Sequence, residues 1–398
     1  MTVFTKTPPD LADAIWLNTP ALRGVMKAIA QAGGEVRVAG GAVRNALLGV
    51  AIADIDLATT LLPNAVMTVC KAAGIRVHPT GIDHGTVTVV AEGLPFEVTT
   101  LRRDVETDGR RAVVAFTDDW RQDALRRDFT INAMYCDGNG KIYDYTTGYQ
   151  DILRRRVRFV GDAERRISED YLRILRFFRF HAAYGQGAMC PVGLVACAKL
   201  KAGLKSISAE RIRQEMFKLL VAKRAVPTLK IMAAHGILKI ILPYTEDWRV
   251  IERLPLDPVL RVFALASQKS RLKVRLRLSN DQATRIEALG QCPNLSPQLS
   301  PQRQHAALYK IGGQAWRDGV ALAWAKSHAP RSSQKWIDLL TLPDRWAVPV
   351  FPIKGRDLLQ QGVASSPMMG DKLLQLEKWW IAKDFAPTKA EILERVKK

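Results

Sequence analysis

The chain has 398 residues, of which 47% are hydrophobic and 25% charged, and carries a formal net charge of +20. That length calls for about two to four compact units, and the charge calls for an anionic partner. No apolar run approaches the roughly 18 residues of a membrane-spanning helix, and five cysteines without a C-x-x-C pair exclude a disulfide framework and a zinc site.

In chain order, Leu11–Ile15 and Leu22–Ile29 place apolar residues at helical spacing, so residues 1–32 read as a helical entry. Residues 35–150 alternate strand and helix. Strands are predicted at Glu35–Ala39, Ile55–Ala58, Ile75–His78, Thr86–Ala91 and Phe96–Leu101, with helices over Ala42–Leu48 and, after Pro63, Ala65–Ala73. The charged, apolar-poor stretch Arg102–Arg111 reads as a mobile loop. Beyond about 160 the pattern is helical, including Ser168–Ala183, Ser208–Val221, Val226–His235 and Met369–Ala382. Pro- and Gly-bearing joints interrupt it at 191–193, 242–246, 293–301 and 348–355. The expected architecture is an α+β head followed by an all-α remainder. Residues 151–224 hold 17 Lys and Arg against 7 Asp and Glu, half of the net charge in under a fifth of the chain. Nucleic acid is the polyanion that best fits such a segment.

The most informative stretch runs from Val38 to Leu57. Gly40 and Gly41 lie between a short strand and a helix, where free backbone N–H groups bind phosphate well. Arg44, one turn in, adds a charged fork. Asp54 and Asp56, two apart on a predicted strand, share a face. Such carboxylates can bridge two divalent ions about 3.5–4 Å apart, the arrangement that clamps both oxygens of an in-line phosphoryl displacement. A Gly-Gly pair alone is usually a turn, and a lone Asp-x-Asp is often a solvated strand end. Their conjunction in this order points to nucleotidyl transfer.

Three further groups join it. Glu97, on the strand face shared with Thr99 and Leu101, is either a third carboxylate or a surface glutamate. Arg126-Arg-Asp-Phe-Thr-Ile-Asn-Ala133 is either a basic helix cap or a site segment in which Arg127 binds a triphosphate and Asn132 orients the loop, with Asp128 beside them. In Glu169-Asp-Tyr-Leu-Arg-Ile-Leu-Arg-Phe-Phe-Arg-Phe180, Asp170, Arg173, Arg176 and Arg179 form one row of a helix, opposite Leu172, Ile174, Leu175 and Phe178. The row is either an exposed salt-bridged stripe or a reading edge, with Asp170 accepting from a base amino group and Arg173 donating to a ring acceptor.

Together these motifs resemble the class II nucleotidyltransferase family of tRNA CCA-adding enzymes and bacterial poly(A) polymerases. The resemblance rests on Gly-Gly-Ala-Val-Arg (40–44), Asp-Ile-Asp-Leu-Ala-Thr (54–59), Gly-Ile-Asp-His-Gly-Thr-Val (81–87), Phe-Glu-Val-Thr-Thr-Leu-Arg (96–102), the 126–133 segment and Glu-Asp-x-x-Arg (169–173). Ser208–Glu215 is similar to the family's neck motif, and Gly355-Arg-Asp-Leu-Leu with Pro367 and Gly370 to its tail segment. Matching is dense through 215 and sparse from there to about 350.

The resemblance implies a polymerase β-like catalytic head (1–150), a basic nucleotide-selecting neck (151–225) and a helical body and tail that bind tRNA (226–398). It implies template-independent addition of CCA to the tRNA acceptor end from CTP and ATP, with two Mg²⁺ ions, or Mn²⁺ in their place, on Asp54 and Asp56. It further implies that Gly41, Arg44 and Arg127 hold phosphates while Asp170 and Arg173 pair with the base. Two departures appear: Asn45 stands where the family commonly has Asp, and Asp108-Gly-Arg-Arg-Ala112 where it reads Asp-Gly-Arg-His-Pro.

Alternatives are a poly(A) polymerase, an enzyme that stops at CC, and a catalytically dead RNA-binding protein. Residues 60–85 lack a basic aromatic insertion and only Lys397-Lys398 follow the last helix, which disfavours the first. The Arg102–Arg111 loop disfavours the second, and the intact Asp54, Asp56, Asp170 and Arg173 disfavour the third. Met1-Thr-Val-Phe-Thr-Lys-Thr-Pro-Pro has no apolar signal core, so a cytoplasmic protein with reduced thiols is expected, with no membrane partner.

Overall fold

The strand β1 (Val36–Ala39) sits inside a seven-stranded sheet, because its apolar residues Val38 and Ala39 are buried at 0% and 3% exposure. A computed structural model provides the structure; it describes residues 7–108, 111–363 and 367–396. The sheet contains β2 (Asp56–Thr59), β3 (Arg76–Gly81), β4 (Thr86–Ala91) and β5 (Leu94–Thr100). β6 (Arg102–Asp108) and β7 (Arg111–Phe116) form a separate antiparallel pair, while β8 (Met134–Cys136) and β9 (Ile142–Asp144) complete the main sheet. Its order is β3-β4-β5-β2-β1-β8-β9. In β4 and β5 the alternation of buried and accessible residues follows from the pleat, with Val87, Val89, Phe96 and Val98 inward.

Helices pack around this sheet and continue past it. They are α1 (Pro20–Gln31), α2 (Gly41–Leu48), α3 (Pro63–Ala72), α4 (Trp120–Leu125), α5 (Gly148–Leu153), α6 (Ala163–Glu169), α7 (Leu172–Tyr184), α8 (Pro191–Leu200) and α9 (Ala209–Leu220). Pro20, Pro63 and Pro191 each open their helix, where the missing N–H is harmless. The apolar side of α7 is wholly inside: Ile174, Leu175, Phe177 and Phe178 are at most 1% exposed. Phe177 stacks on Phe159 at 5.1 Å between centroids, and Phe129 lies 5.2 Å from Phe180. Each such ring contributes about 1.5–3 kcal/mol through burial. This aromatic seam fastens α7 to the segment that carries Asp128.

Three expectations change. β2 begins at Asp56, so Asp54 precedes the strand instead of sharing it. The helix expected over Ser168–Ala183 is two helices, since Asp170 adopts an extended conformation (φ −156°, ψ 104°) between α6 and α7. Arg102–Arg111, expected as a loop, supplies β6 and the start of β7; Gly109 and Arg110 lie outside the described residues. The two segments pair there because each strand satisfies the other's backbone.

The chain divides into two compact units, 1–242 and 243–398, beside the Pro-bearing break between helices at 242–246. The first holds the expected head and neck and the start of the expected body. The second is helical. One of its cores gathers Leu308, Trp316, Val320 and Trp336, and another Leu358, Leu376, Trp380 and Ile392. Among the described residues no helix is long and apolar enough to cross a membrane. Lys397 and Lys398, like residues 1–6, lie outside the described residues.

Candidate active site

Strand register brings the first group together. Ala39 of β1 pairs with Asp56 of β2, and on its other side Asp56 pairs with Glu97 of the parallel β5. Gly40, the residue after Ala39, therefore turns next to Asp56. Its φ of +61° suits glycine, and a Cβ there would lie 3.0 Å from the Asn132 carbonyl and 3.2 Å from Arg127 Nη1. The Gly40 carbonyl accepts the Arg44 N–H at 3.0 Å, which starts α2.

Asp54, Asp56 and Glu97 are exposed. Even so, the packed walls around the Asp56 carboxyl raise its pKa, helped by the negative charges of Glu97 and Asp54 and opposed by Arg127. None of the three carboxylates makes a side-chain hydrogen bond or ion pair among the described residues. Crowded carboxylates that no protein cation bonds directly are a donor set that a hard divalent ion fits. Among the described residues no three His, Cys, Asp or Glu side chains form a ready metal cage. Mg²⁺ needs none, since it is commonly held by one or two carboxylates together with substrate phosphates.

Beside Asp56 opens a cleft of about 490 Å³. Gly40, Gly41, Arg44, Arg127, Asp128, Asn132, Asp170, Arg173, Arg176 and Arg179 all line it, so every residue expected to bind nucleotide reaches one place. Asp54 and Glu97 do not line it; they flank Asp56. Seven arginines against three aspartates in its wall leave an excess of positive charge suited to a polyphosphate.

The arginines are held by specific partners. Arg44 is 7% exposed and donates to Asn132 Oδ1, to Asn45 Oδ1 at 2.8 Å and to the Tyr184 hydroxyl at 2.9 Å. Burial lowers its pKa, partly offset by Tyr184. The departure at Asn45 thus has a use, for its amide oxygen receives Arg44 while its NH₂ donates to the Ala51 carbonyl at 2.9 Å. Arg127 is braced by the Tyr135 hydroxyl at 3.1 Å and by Asp123 at 3.1 Å. Asp123 also receives Arg126 at 2.6 Å and the Tyr135 O–H at 2.6 Å. Burial alone would raise Asp123, but Arg127 and Arg126 bring it down to about 2.

The neck row is neutralised from outside itself. Arg176 Nε donates to Asp128 at 2.7 Å, and Asp128 accepts the Asn132 NH₂ at 3.2 Å. Burial would raise Asp128, and Arg176 overcomes it, so the group sits below the usual range. Arg179 donates to Glu215 on α9. Arg173 donates to Glu169 at 2.5 Å and to the Arg166 carbonyl at 2.8 Å. Asp170 Oδ2 accepts from Arg211 at 2.7 Å. The expected row does not extend to Asp170, because the break there takes it out of the helix; its carboxylate turns to Arg211 while Arg173 turns to Glu169. Arg126, Leu172, Phe180 and Arg211 also line the cleft without having been assigned to the site from the sequence, and Leu172 was expected on the side opposite the arginine row. A signal existed for Arg211, which lies in the Ser208–Glu215 motif. Nothing in the local pattern marks Phe180 as more than core.

Residues 36–158 match the family described as Poly A polymerase head domain, and 193–249 match the one described as Probable RNA and SrmB-binding site of polymerase A. The CCA tRNA nucleotidyltransferase 1, mitochondrial, of Homo sapiens is 33% identical over 96% of this chain and 91% of its own length. This chain belongs to the CCA tRNA nucleotidyltransferase family. The CCA-adding enzyme of Bacillus pumilus is 39% identical over 84% of this chain and 86% of its own length. Among solved structures, the CCA-adding enzyme of Bacillus stearothermophilus in complex with CTP superposes with a TM-score of 0.81 at 28% identity, covering 95% of this chain and 97% of that one. Membership of the CCA tRNA nucleotidyltransferase family accounts for the α+β head with a helical remainder, and the family is in general dependent on divalent metal.

Proposed function

We propose that this chain adds C, C and A in turn to the 3′ end of tRNA, using CTP and ATP and no nucleic-acid template. The single observation that carries the reading is the convergence on one cleft of a glycine turn, arginines and the Asp170–Arg173 segment beside a carboxylate group.

In this reading Asp54 and Asp56 hold two Mg²⁺ ions, with Glu97 flanking them; Mn²⁺ is the alternative metal. Bound there, the ions would supply charge stabilisation for the attacking and leaving oxygens. The chain's own groups do the rest. The Gly41 N–H and the guanidinium groups of Arg44 and Arg127 receive the triphosphate, while Gly40, whose own N–H donates to the Met134 carbonyl at 2.9 Å, makes the turn that presents them. Asp128 and Asn132 keep that wall in place, and Arg176 and Arg179 tie it to the neck. Asp170 accepts from the base amino group, and Arg173 donates to the ring nitrogen beside it. Cytosine and adenine both offer an amino donor next to a ring acceptor, so one pair serves both; uracil and guanine present a carbonyl instead.

Residues 226–398 hold the RNA. Arg271, Lys273, Arg275 and Arg277 are exposed in a segment pinned by buried Leu272 and Leu276, which favours a phosphate-facing surface. A cytoplasmic location completes the reading and suits five unpaired cysteines. The test is incubation with tRNA ending at the discriminator base, with CTP alone, ATP alone and both. Ordered growth by C, C and A is expected. Long A tracts would make the chain a poly(A) polymerase, and arrest at CC a partial enzyme; the β6–β7 pair, where the family's loop stands, favours full addition.

A further inference from the structure

The second unit contains a cavity of its own, and none of its lining residues belongs to the cleft. Its volume is about 560 Å³, inside the roughly 300–1,000 Å³ range of small-molecule sites. The helix Trp248–Arg253, the bend Leu254-Pro-Leu256 and the helix Pro258–Leu265 build part of the wall. Trp324 comes from the long helix Pro301–Lys326, together with Ala321 and Ala325. Its indole is fixed: the ring stacks on Trp336 with the planes 3° apart, and Nε1 donates to the Pro330 carbonyl at 3.3 Å. Leu254, Ala321 and Ala325 are at most 9% exposed, so much of the wall is apolar.

Into this wall the fold sets three guanidinium groups. Arg261, itself buried, donates through Nε and Nη2 to the Pro255 and Leu254 carbonyls, each at 2.8 Å, so the bend wraps around a cation. Arg253 Nη2 donates to the Trp324 carbonyl at 3.4 Å and to that of Ala329, while its buried Nε has no partner. Arg331, at the exposed rim, donates to the Glu252 carbonyl at 2.8 Å. Arg253 and Arg331 thus meet backbone oxygens only, and neither forms an ion pair among the described residues. Burial lowers the pKa of Arg261, Arg331 adds to that, and Glu252 opposes it. Glu252 is the sole carboxylate on the wall among the described residues, so three cations against one anion leave an excess of two positive charges.

We propose that this cavity binds a nucleoside monophosphate, with its phosphate among the guanidinium groups and its base against the apolar wall that Trp324 holds flat. Like charges gathered beside a low-dielectric wall are costly until an anion joins them. A phosphomonoester carries about −1.5 to −2 at pH 7, which matches that excess, whereas an internal phosphate of RNA carries a single charge. Guanidinium groups suit a phosphate through paired N–H donors, and an aromatic face suits any base. No bond is made or broken in the cavity.

The experiment is equilibrium dialysis of the full chain against labelled AMP, without tRNA or added metal. One bound molecule is expected that Arg44→Ala, a change in the cleft, leaves in place. Arg331→Glu should raise the Kd of that molecule at least about tenfold, and Arg331→Lys should restore most of the affinity. If Arg331→Glu proves poorly folded by circular dichroism, Arg331→Ala carries the same expectation. Adenosine and inorganic phosphate should each bind at least about tenfold more weakly than AMP, since each lacks half of what the cavity offers. Binding that Arg44→Ala abolishes and Arg331→Glu spares would place AMP in the cleft alone and overturn the proposal. Phosphate binding as tightly as AMP would overturn it too, because the apolar wall would then be idle. So would displacement of AMP from the Arg44→Ala protein by tRNA lacking its terminal CCA, which would assign the cavity to RNA.

Discussion

Asp128 and Arg176 join the segment after α4 to the neck helix α7 by a buried, two-pronged contact, with Arg176 Nε and Nη2 at 2.7 and 2.5 Å from the same carboxylate oxygen. Asp128 is 8% exposed, and its other oxygen accepts the Phe129 N–H at 2.8 Å. The contact sets one wall of the cleft relative to the other. The Arg176 side chain is 32% exposed and keeps Glu215 at 3.8 Å, so Asp128→Ala is expected to lower stability by roughly 1–3 kcal/mol, the cost of a lost hydrogen bond between charged groups. Chemical denaturation measures this, and a loss under about 1 kcal/mol would mean that Glu215 alone suffices for Arg176.

The carboxylates beside the cleft give a sharper functional expectation. Asp54→Ala and Asp56→Ala should each abolish addition of C and of A alike, with tRNA affinity close to the parent value. In the proposed function both additions share the metals, whereas the RNA is held by basic helical surface. Near-normal turnover in either variant would assign the chemistry to the wrong residues.

Asp123 carries a pH dependence whose sign is fixed. Its folded pKa is depressed from the usual 3.8 to about 2, so its contribution is complete above about 4 and is lost as pH falls toward 2. That difference corresponds to roughly 2–3 kcal/mol. Asp123→Asn should be less stable at pH 7 and should show a shallower loss between pH 4 and pH 2 than the parent. Parallel acid limbs in urea titrations of the two proteins would contradict it.

The exposed cations at Arg271, Lys273 and Arg275 should read out as salt dependence. Reversing two of them to Glu should weaken tRNA binding and flatten the slope of log affinity against log salt by about 1 for each phosphate no longer engaged. CTP use on a short acceptor mimic, which need not reach this surface, should change less. An unaltered slope would move the RNA-binding surface elsewhere on the unit.

Much of the site was legible because its parts are local. Gly40-Gly41 before a helix, the strand alternation in Thr86–Ala91 and the apolar side of α7 are properties of neighbours in sequence, where hydrophobic period reports secondary structure directly. The ordered motifs at 40–44, 54–59, 81–87, 96–102, 126–133 and 169–173 also carried the resemblance to the family, and residues picked from them meet in one cleft.

The tertiary structure decided what touches what. Arg211 reaches Asp170 across 41 positions and Arg176 reaches Asp128 across 48, separations over which no periodicity carries information. The parallel pairing of β2 with β5 put Glu97 beside Asp56, a matter of strand order that alternation cannot specify. Asp170 left the helical row because its carboxylate satisfies the Leu172 N–H and Arg211 better from an extended joint than helix propensity alone would favour. Charge balance was likewise invisible beforehand: the sequence shows a row of arginines, and only the fold shows that Glu169, Asp128 and Glu215 neutralise them, since like charges can crowd one face only where packing delivers their counterions.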